Sequence, residues 1–210
     1  MKIALINGSP KVNKSSSGAL LEDLKYYLNG KTEIVECEMH ANSAYEKVLD
    51  ELNTAEAWVF AYPLYVDGIP GHLLSFLAWL EEKGVKTKTP HVYGIVNCGF
   101  YEGVQNEIAL KILQNWCAKT GCIWSGGIGV GGGGGLGQLP KMERGQGPKA
   151  PIDKALSEIA DKMIRCEALE NKYVSIDFPR SLYKMGAQIG WRQMIKANGG
   201  STRDLDKRPE

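Results

Sequence analysis

KIALINGSPKVNKSSSGALLEDLKYYL, residues 2–28, begins with an apolar run from Lys2 to Ile6 and ends in a helical stripe of Leu20, Leu24, Tyr27 and Leu28. The run is nearly continuous rather than alternating, as a strand buried on both faces of a parallel sheet requires. Pro10 blocks its extension and a helix starts near Ser16. Strand, hydroxyl-rich turn and helix form the first unit of an α/β chain, with the turn at the carboxyl edge of the sheet.

The same alternation continues downstream. Apolar runs at Glu33 to Cys37, Ala57 to Ala61, Val92 to Val96 and from Cys122 onward read as further strands. Between them lie helical stripes of Leu73, Phe76, Leu77 and Leu80, of Val104, Ile108, Ile112 and Trp116, and of Ile152, Leu156, Ile159 and Met163, with a weaker helix over Ser43 to Leu52. Five such units predict an open, doubly wound α/β fold: a five-stranded parallel sheet with helices on both faces. Residues 126–151, with many glycines and with Pro140, Pro148 and Pro151, read as one long flexible loop. Two parts are therefore expected, 1–172 as the domain and 173–210 as a C-terminal extension. In that extension Leu182, Met185, Ile189 and Trp191 mark one more helix, expected at an interface or lining a pocket.

Composition narrows the function. A chain of 210 residues that is 43% hydrophobic supports one sizeable core. Its net charge of +1 gives no reason to expect nucleic acid or an anionic membrane as partner. Only four consecutive apolar residues, Ile3 to Ile6, precede Asn7, so neither a secretory segment nor a span is expected and the cytoplasm is the expected location. The five cysteines, Cys37, Cys98, Cys117, Cys122 and Cys166, show no C-x-x-C spacing, and His40, His72 and His91 are scattered. Free thiols and no metal site are the expectation.

Three turns carry chemistry. In NGSPKVNKSSSG, residues 7–18, Ser9, Ser15, Ser16 and Ser17 cluster at a helix N-terminus with Lys11 and Lys14, where the unpaired backbone N–H groups and the helix dipole favour a phosphate. In AYPLYVDGIPGH, residues 61–72, prolines stiffen a loop whose Leu64, Tyr65 and Val66 suit a flat ring beside the Asp67-Gly68 turn. In VNCGFYEGVQNE, residues 96–107, Asn97, Gly99, Phe100, Tyr101 and Gln105 combine amides with aromatic faces. In a sheet of order 2-1-3-4-5 the loops after strands one, three and four meet at the switch point, where ligands bind. Together they suit a phosphorylated cofactor with a flat heterocycle. The G-x-G-x-x-G of Gly127, Gly129 and Gly132 fails its context: QLPKMERGQGPKAP follows it where a helix should begin.

NGSPK followed by SSSG, then PLYVDGIPGHL, then NCGFYE resemble the NAD(P)H-dependent FMN reductase and flavin oxidoreductase family of the flavodoxin-like fold. The resemblance implies noncovalent FMN. It implies Ser9, Lys11, Ser15, Ser16 and Ser17 at the phosphate, Pro63, Leu64, Tyr65, Val66, Asp67 and Gly68 along the ring, and Asn97, Cys98, Gly99, Phe100 and Tyr101 on the other side. The implied partners are NADH or NADPH, a small-molecule electron acceptor (quinone, flavin, azo or nitro compound) and further copies in a homodimer or homotetramer. The flavin carries the hard chemistry, so no catalytic acid or base is expected. The alternative is a flavodoxin-type electron carrier without substrate chemistry of its own. Lys11 stands where many such reductases have arginine, replacing a bidentate fork with a point charge.

Overall fold

The computed structural model describes residues 1–12, 14–40, 44–85, 89–133 and 144–206. In chain order the elements are β1 Lys2–Asn7, α1 Ser16–Leu28, β2 Glu33–Glu38, α2 Tyr45–Leu52, β3 Ala57–Pro63, α3 Gly71–Lys83, β4 His91–Asn97, α4 Glu107–Thr120, β5 Ile123–Val130, α5 Ala150–Ile164, β6 Lys172–Val174 and α6 Arg180–Ala197. They fall into two compact units, Met1–Ile176 and Asp177–Glu210.

In the first unit all strand pairs are parallel and the order is β2-β1-β3-β4-β5-β6. The order reverses between β1 and β3, which opens a crevice at the carboxyl edge. Successive side chains point to opposite faces. Ala4, Ile6, Trp58, Phe60, Tyr62, Val92 and Val96 pack with the apolar sides of α2, α3 and α4. Ile3, Leu5, Val59 and Ile95 are buried on the other face, which α1 and α5 cover. Polar atoms of the buried aromatics are satisfied by helix carbonyls: Trp58 Nε1 donates to Leu52 at 2.9 Å, Trp116 Nε1 to Leu77 at 2.8 Å and Tyr62 Oη to Ala109 at 3.0 Å.

Three features differ from the sequence expectation. The sheet gains a sixth strand, β6, which pairs Tyr173, the first residue of the expected extension, with Gly129. Three residues are too few to show a sequence period. The expected loop over 126–151 begins too early, because Gly126 to Val130 are strand and α5 already starts at Ala150. Glycine signals a loop by propensity, but here it allows close approach of backbones: a Cβ on Gly129 would lie 2.7 Å from the Gly103 carbonyl oxygen, and one on Gly131 2.1 Å from that of Tyr101. Residues 134–143 of that expected loop, and Ser43 at the expected start of α2, lie outside the described residues.

The third difference is the phase of α4. Val104 belongs to a 3-10 turn, Gly103–Asn106, and both Val104 and Ile108 are exposed. The buried side is Ala109, Leu110, Leu113, Trp116 and Cys117. Leu110 sits over two glycines of the sheet, and a Cβ on either Gly94 or Gly127 would come within 2.7 Å of its Cδ2. That socket sets the helix rotation.

α1 and α5 are tied together on their shared face. Lys149 Nζ lies 2.5 Å from the Asp23 carboxylate, and Asp153 accepts the Gly145 N–H at 2.8 Å. The tie fixes α1, whose N-terminus faces the crevice.

The second unit holds the expected tail helix. α6 buries none of its residues, and Leu182, Met185, Ile189, Trp191 and Met194 are exposed. No helix among the described residues is long and apolar enough to cross a membrane.

Candidate functional site

The strand ends set the positions. Asn7 closes β1 and Asn97 closes β4, and both side chains are buried. Asn7 Oδ1 accepts the Ser9 N–H at 3.2 Å, while its Nδ2 donates to Glu38 at 2.9 Å. Ser9 in turn accepts the Lys11 N–H on Oγ at 3.3 Å. The turn is folded on itself by these side chains, with Gly8 held to the Ala61 carbonyl at 2.8 Å. A Cβ on Gly8 would meet Leu73 at 2.6 Å.

The serines divide into two roles. Ser15 caps α1 by accepting the Gly18 N–H at 3.0 Å. Ser16 donates its hydroxyl to the Gly133 carbonyl at 2.8 Å, and buried Ser17 donates to Asn97 Oδ1 at 2.7 Å. A hydroxyl has one hydrogen, so Ser16 and Ser17 are struts joining α1 to the exits of β5 and β4. Their backbone N–H groups open α1 and have no helical acceptor. Lys11 and Lys14 make no ion pair with any described residue. Two free N–H groups, the Ser15 hydroxyl and two unpaired ammonium groups fit a phosphate dianion.

On the ring side, Tyr65 and Gly68 exchange both backbone hydrogen bonds, at 3.1 and 3.0 Å. Val66 and Asp67 between them both have positive φ, 48° and 57°. A β-branched residue in that region is strained, and Val66 is fully exposed at the tip of the turn. The Leu64 N–H reaches the Asn97 carbonyl at 2.8 Å, which sets the two ring loops side by side with Pro63 and Leu64 between them.

The second ring loop is clamped from behind. Cys98 N donates to Val130, Gly133 N to Cys98 and Gly132 N to Phe100, at 3.0, 2.7 and 2.6 Å. Asn106 Nδ2 braces the Gly103 and Val130 carbonyls at 2.9 and 3.2 Å. Phe100 is exposed, Tyr101 half-buried, and a Cβ on Gly99 would meet nothing within 4 Å, so the loop presents an open face to the crevice. Gln105 is exposed in the 3-10 turn.

Cys98 is buried, and burial pushes its thiol up, with hydrogen bonds from Phe100 and Asn106 opposing only part of the rise. It fills space and offers no thiolate nucleophile. Burial likewise lowers His72 beside the turn, so it adds no charge at neutral pH. Among the described residues no cluster of acids, cysteines and histidines forms a metal site.

Sequence reasoning assigned the serines to the phosphate as one group and overlooked Asn7, Gly133 and Asn106. Asn7 and Asn97 carried a usable signal, an amide ending an apolar strand. Gly133 carried none, because its partner Ser16 is 117 positions away.

A doubly wound parallel sheet of this strand order, with the exits of β1, β3 and β4 held together at its switch point, defines the flavodoxin-like class. The family model for NADPH-dependent FMN reductase matches residues 1–112. The chain belongs to that family: it is an FMN reductase-like oxidoreductase with FMN as its cofactor.

No curated protein sequence matches the chain significantly. Among solved structures it is similar to an NADH:FMN oxidoreductase in its apo form, at 14% identity and a TM-score of 0.57 over 80% of this chain and 90% of that one. An NADPH-quinone reductase from P. pentosaceus gives 12% and 0.55 over 77% and 96%. A flavodoxin of Streptococcus pneumonia gives 14% and 0.53 over 78% and 99%. At these identities the likeness is one of fold.

Proposed function

We propose that the chain takes a hydride from NADH or NADPH and passes electrons to a small acceptor such as a quinone, flavin, azo or nitro compound. The observation that carries this is the meeting of the three loops, with the phosphate cradle at the end of β1 and the aromatic slot at the ends of β3 and β4. FMN, when bound, supplies the hydride acceptor and the electron donor for both half-reactions. The protein's own residues bind and orient. The N–H groups of Ser16 and Ser17, with Lys11 and Lys14, hold the phosphate. The rigid Tyr65–Gly68 turn and the clamped Asn97–Tyr101 loop bound the slot. Tyr65 and Phe100 shield it from water. Tyr65 N, Gly68 N and Cys98 N are committed to carbonyls within the protein, which leaves the N–H groups of Val66 and Asp67 to meet negative charge there.

Anaerobic addition of NADH or NADPH should bleach the flavin of the purified protein, and a quinone should restore its colour. A yellow protein that neither nicotinamide bleaches would reduce the reading to an electron carrier.

We also propose that the chain works in the cytoplasm, where its five free thiols stay reduced, and pairs with a second copy through the exposed apolar residues of α6. Light scattering should show a smaller oligomer for a chain ending at Ile176. An unchanged mass would remove α6 from the interface.

A further inference from the structure

Val66 and Asp67 stand in succession at positive φ between the paired Tyr65 and Gly68. A two-residue turn of this kind asks for asparagine, aspartate or glycine at its first central position. Valine is a poor choice there, and packing does not offset its strain, because the side chain is fully exposed. Nor is the turn loose. Leu64 is tied to Asn97 on one side, Ile69 and Pro70 are buried on the other, and a Cβ on Gly68 would lie 3.7 Å from Ile112 of α4. Val66 is thus an apolar knob on a fixed base. Tyr65 and Phe100 are the other exposed apolar side chains of the two ring loops, 63–68 and 97–101.

The charges divide along the site. The phosphate turn carries Lys11 and Lys14, whereas residues 61–72 and 96–107 contain Asp67, Glu102 and Glu107 and no lysine or arginine. Lys111 pairs with Glu107 at 2.7 Å. Asp67 is exposed on the same tip as Val66 and makes no ion pair with any described residue. A phosphate at the first turn meets cations, and a molecule that approaches the ring loops meets a carboxylate.

We propose that the Val66–Asp67 tip sets the acceptor class of the site, which is flat, apolar acceptors with no negative charge on the reacting ring. This rests on the flavin reading above. Val66 gives such a ring an apolar contact, and the Asp67 carboxylate repels an anion brought to the same place. The dinucleotide reductant carries its phosphates away from its nicotinamide ring, so the tip acts least on it.

The test uses protein loaded with FMN and reduced by a stoichiometric amount of dithionite, so no nicotinamide is needed. Stopped-flow mixing with 1,2-naphthoquinone or with 1,2-naphthoquinone-4-sulfonate follows the return of the yellow colour. Each quinone takes two electrons and two protons from the reduced protein and leaves as its hydroquinone. Asp67→Asn keeps a side chain that tolerates positive φ and removes the charge. It should speed the sulfonate relative to the parent quinone by roughly fivefold at low salt, and the gain should fade as salt rises. Val66→Asn supplies a residue that the turn prefers, so it should raise the thermal midpoint by about 3 °C and yet slow the parent quinone by roughly tenfold. A residue that served the fold alone would not lose rate while gaining stability. The proposal is overturned by an Asp67→Asn protein that keeps the wild-type preference at low salt, or by a Val66→Asn protein that gains stability and keeps the wild-type rate. A chain that takes up no FMN stays colourless, which sinks the flavin reading and the proposal with it. A coloured protein that no nicotinamide bleaches removes only the hydride step, and its reoxidation rates still decide the role of the tip.

Discussion

Gly103→Ala should lower stability by about 3 kcal/mol and the thermal midpoint by about 10 °C, the upper end of the usual penalty for overpacking. Gly103 starts the 3-10 turn between the second ring loop and α4. A Cβ there would lie 2.3 Å from the Val174 carbonyl oxygen, 2.5 Å from that of Gly129 and 2.8 Å from Val174 N. All three atoms are backbone, in β5 and β6, so no rotamer change relieves the clash. Either β6 leaves its place beside β5 or the turn lifts, and lifting it frees Asn106 from the Val130 carbonyl. The ring loop loosens in both cases, so flavin affinity falls together with stability. Urea unfolding of the variant beside Gly71→Ala measures this. Gly71 has nothing within 4 Å of its notional Cβ, and its variant should stay within about 0.5 kcal/mol of wild type. A Gly103→Ala protein as stable as the Gly71→Ala control would mean that the three backbones are not packed as described.

The same contacts explain what was legible in the sequence. Strands β1, β3 and β4 announce themselves because both faces of a parallel sheet are covered, so nearly every residue is apolar. The loop positions at the switch point follow from that alternation alone. β5 was legible only to Ser125, because its glycines answer to Gly94, Gly103 and Leu110, residues remote in sequence. No local window holds that information. The phase of α4 failed for a related reason: Val104, Ile108 and Ile112 make a good stripe on paper, but the socket for Leu110 exists only once β4 and β5 are paired. The serine cluster shows the same limit at the site. Residue type and helix position pointed to the phosphate, but whether a hydroxyl meets a ligand or braces another strand depends on a partner such as Asn97, 80 positions from Ser17.

That division of the serines predicts opposite signatures for two substitutions measured with FMN and with riboflavin, which lacks the phosphate. Lys11→Ala removes an ammonium that makes no ion pair with any described residue, so it should weaken FMN by roughly tenfold and leave riboflavin unchanged, with the difference shrinking as salt rises. Ser17→Ala acts elsewhere. Ser17 is 1% exposed and Asn97 6% exposed, so the variant leaves Asn97 Oδ1 buried without its donor, a loss of about 2 kcal/mol. It also releases the end of β4 from α1, and with it the loop from Asn97 to Tyr101 that bounds the ring. Affinity for FMN and for riboflavin should then fall together, by roughly tenfold or more, with stability. Ser17→Thr, which keeps the hydroxyl, should recover most of both. The opposite pattern, Ser17→Ala weakening FMN while sparing riboflavin and stability, would make the hydroxyl a phosphate ligand. The strut between α1 and β4 would then be a feature of the flavin-free chain that gives way when the phosphate arrives.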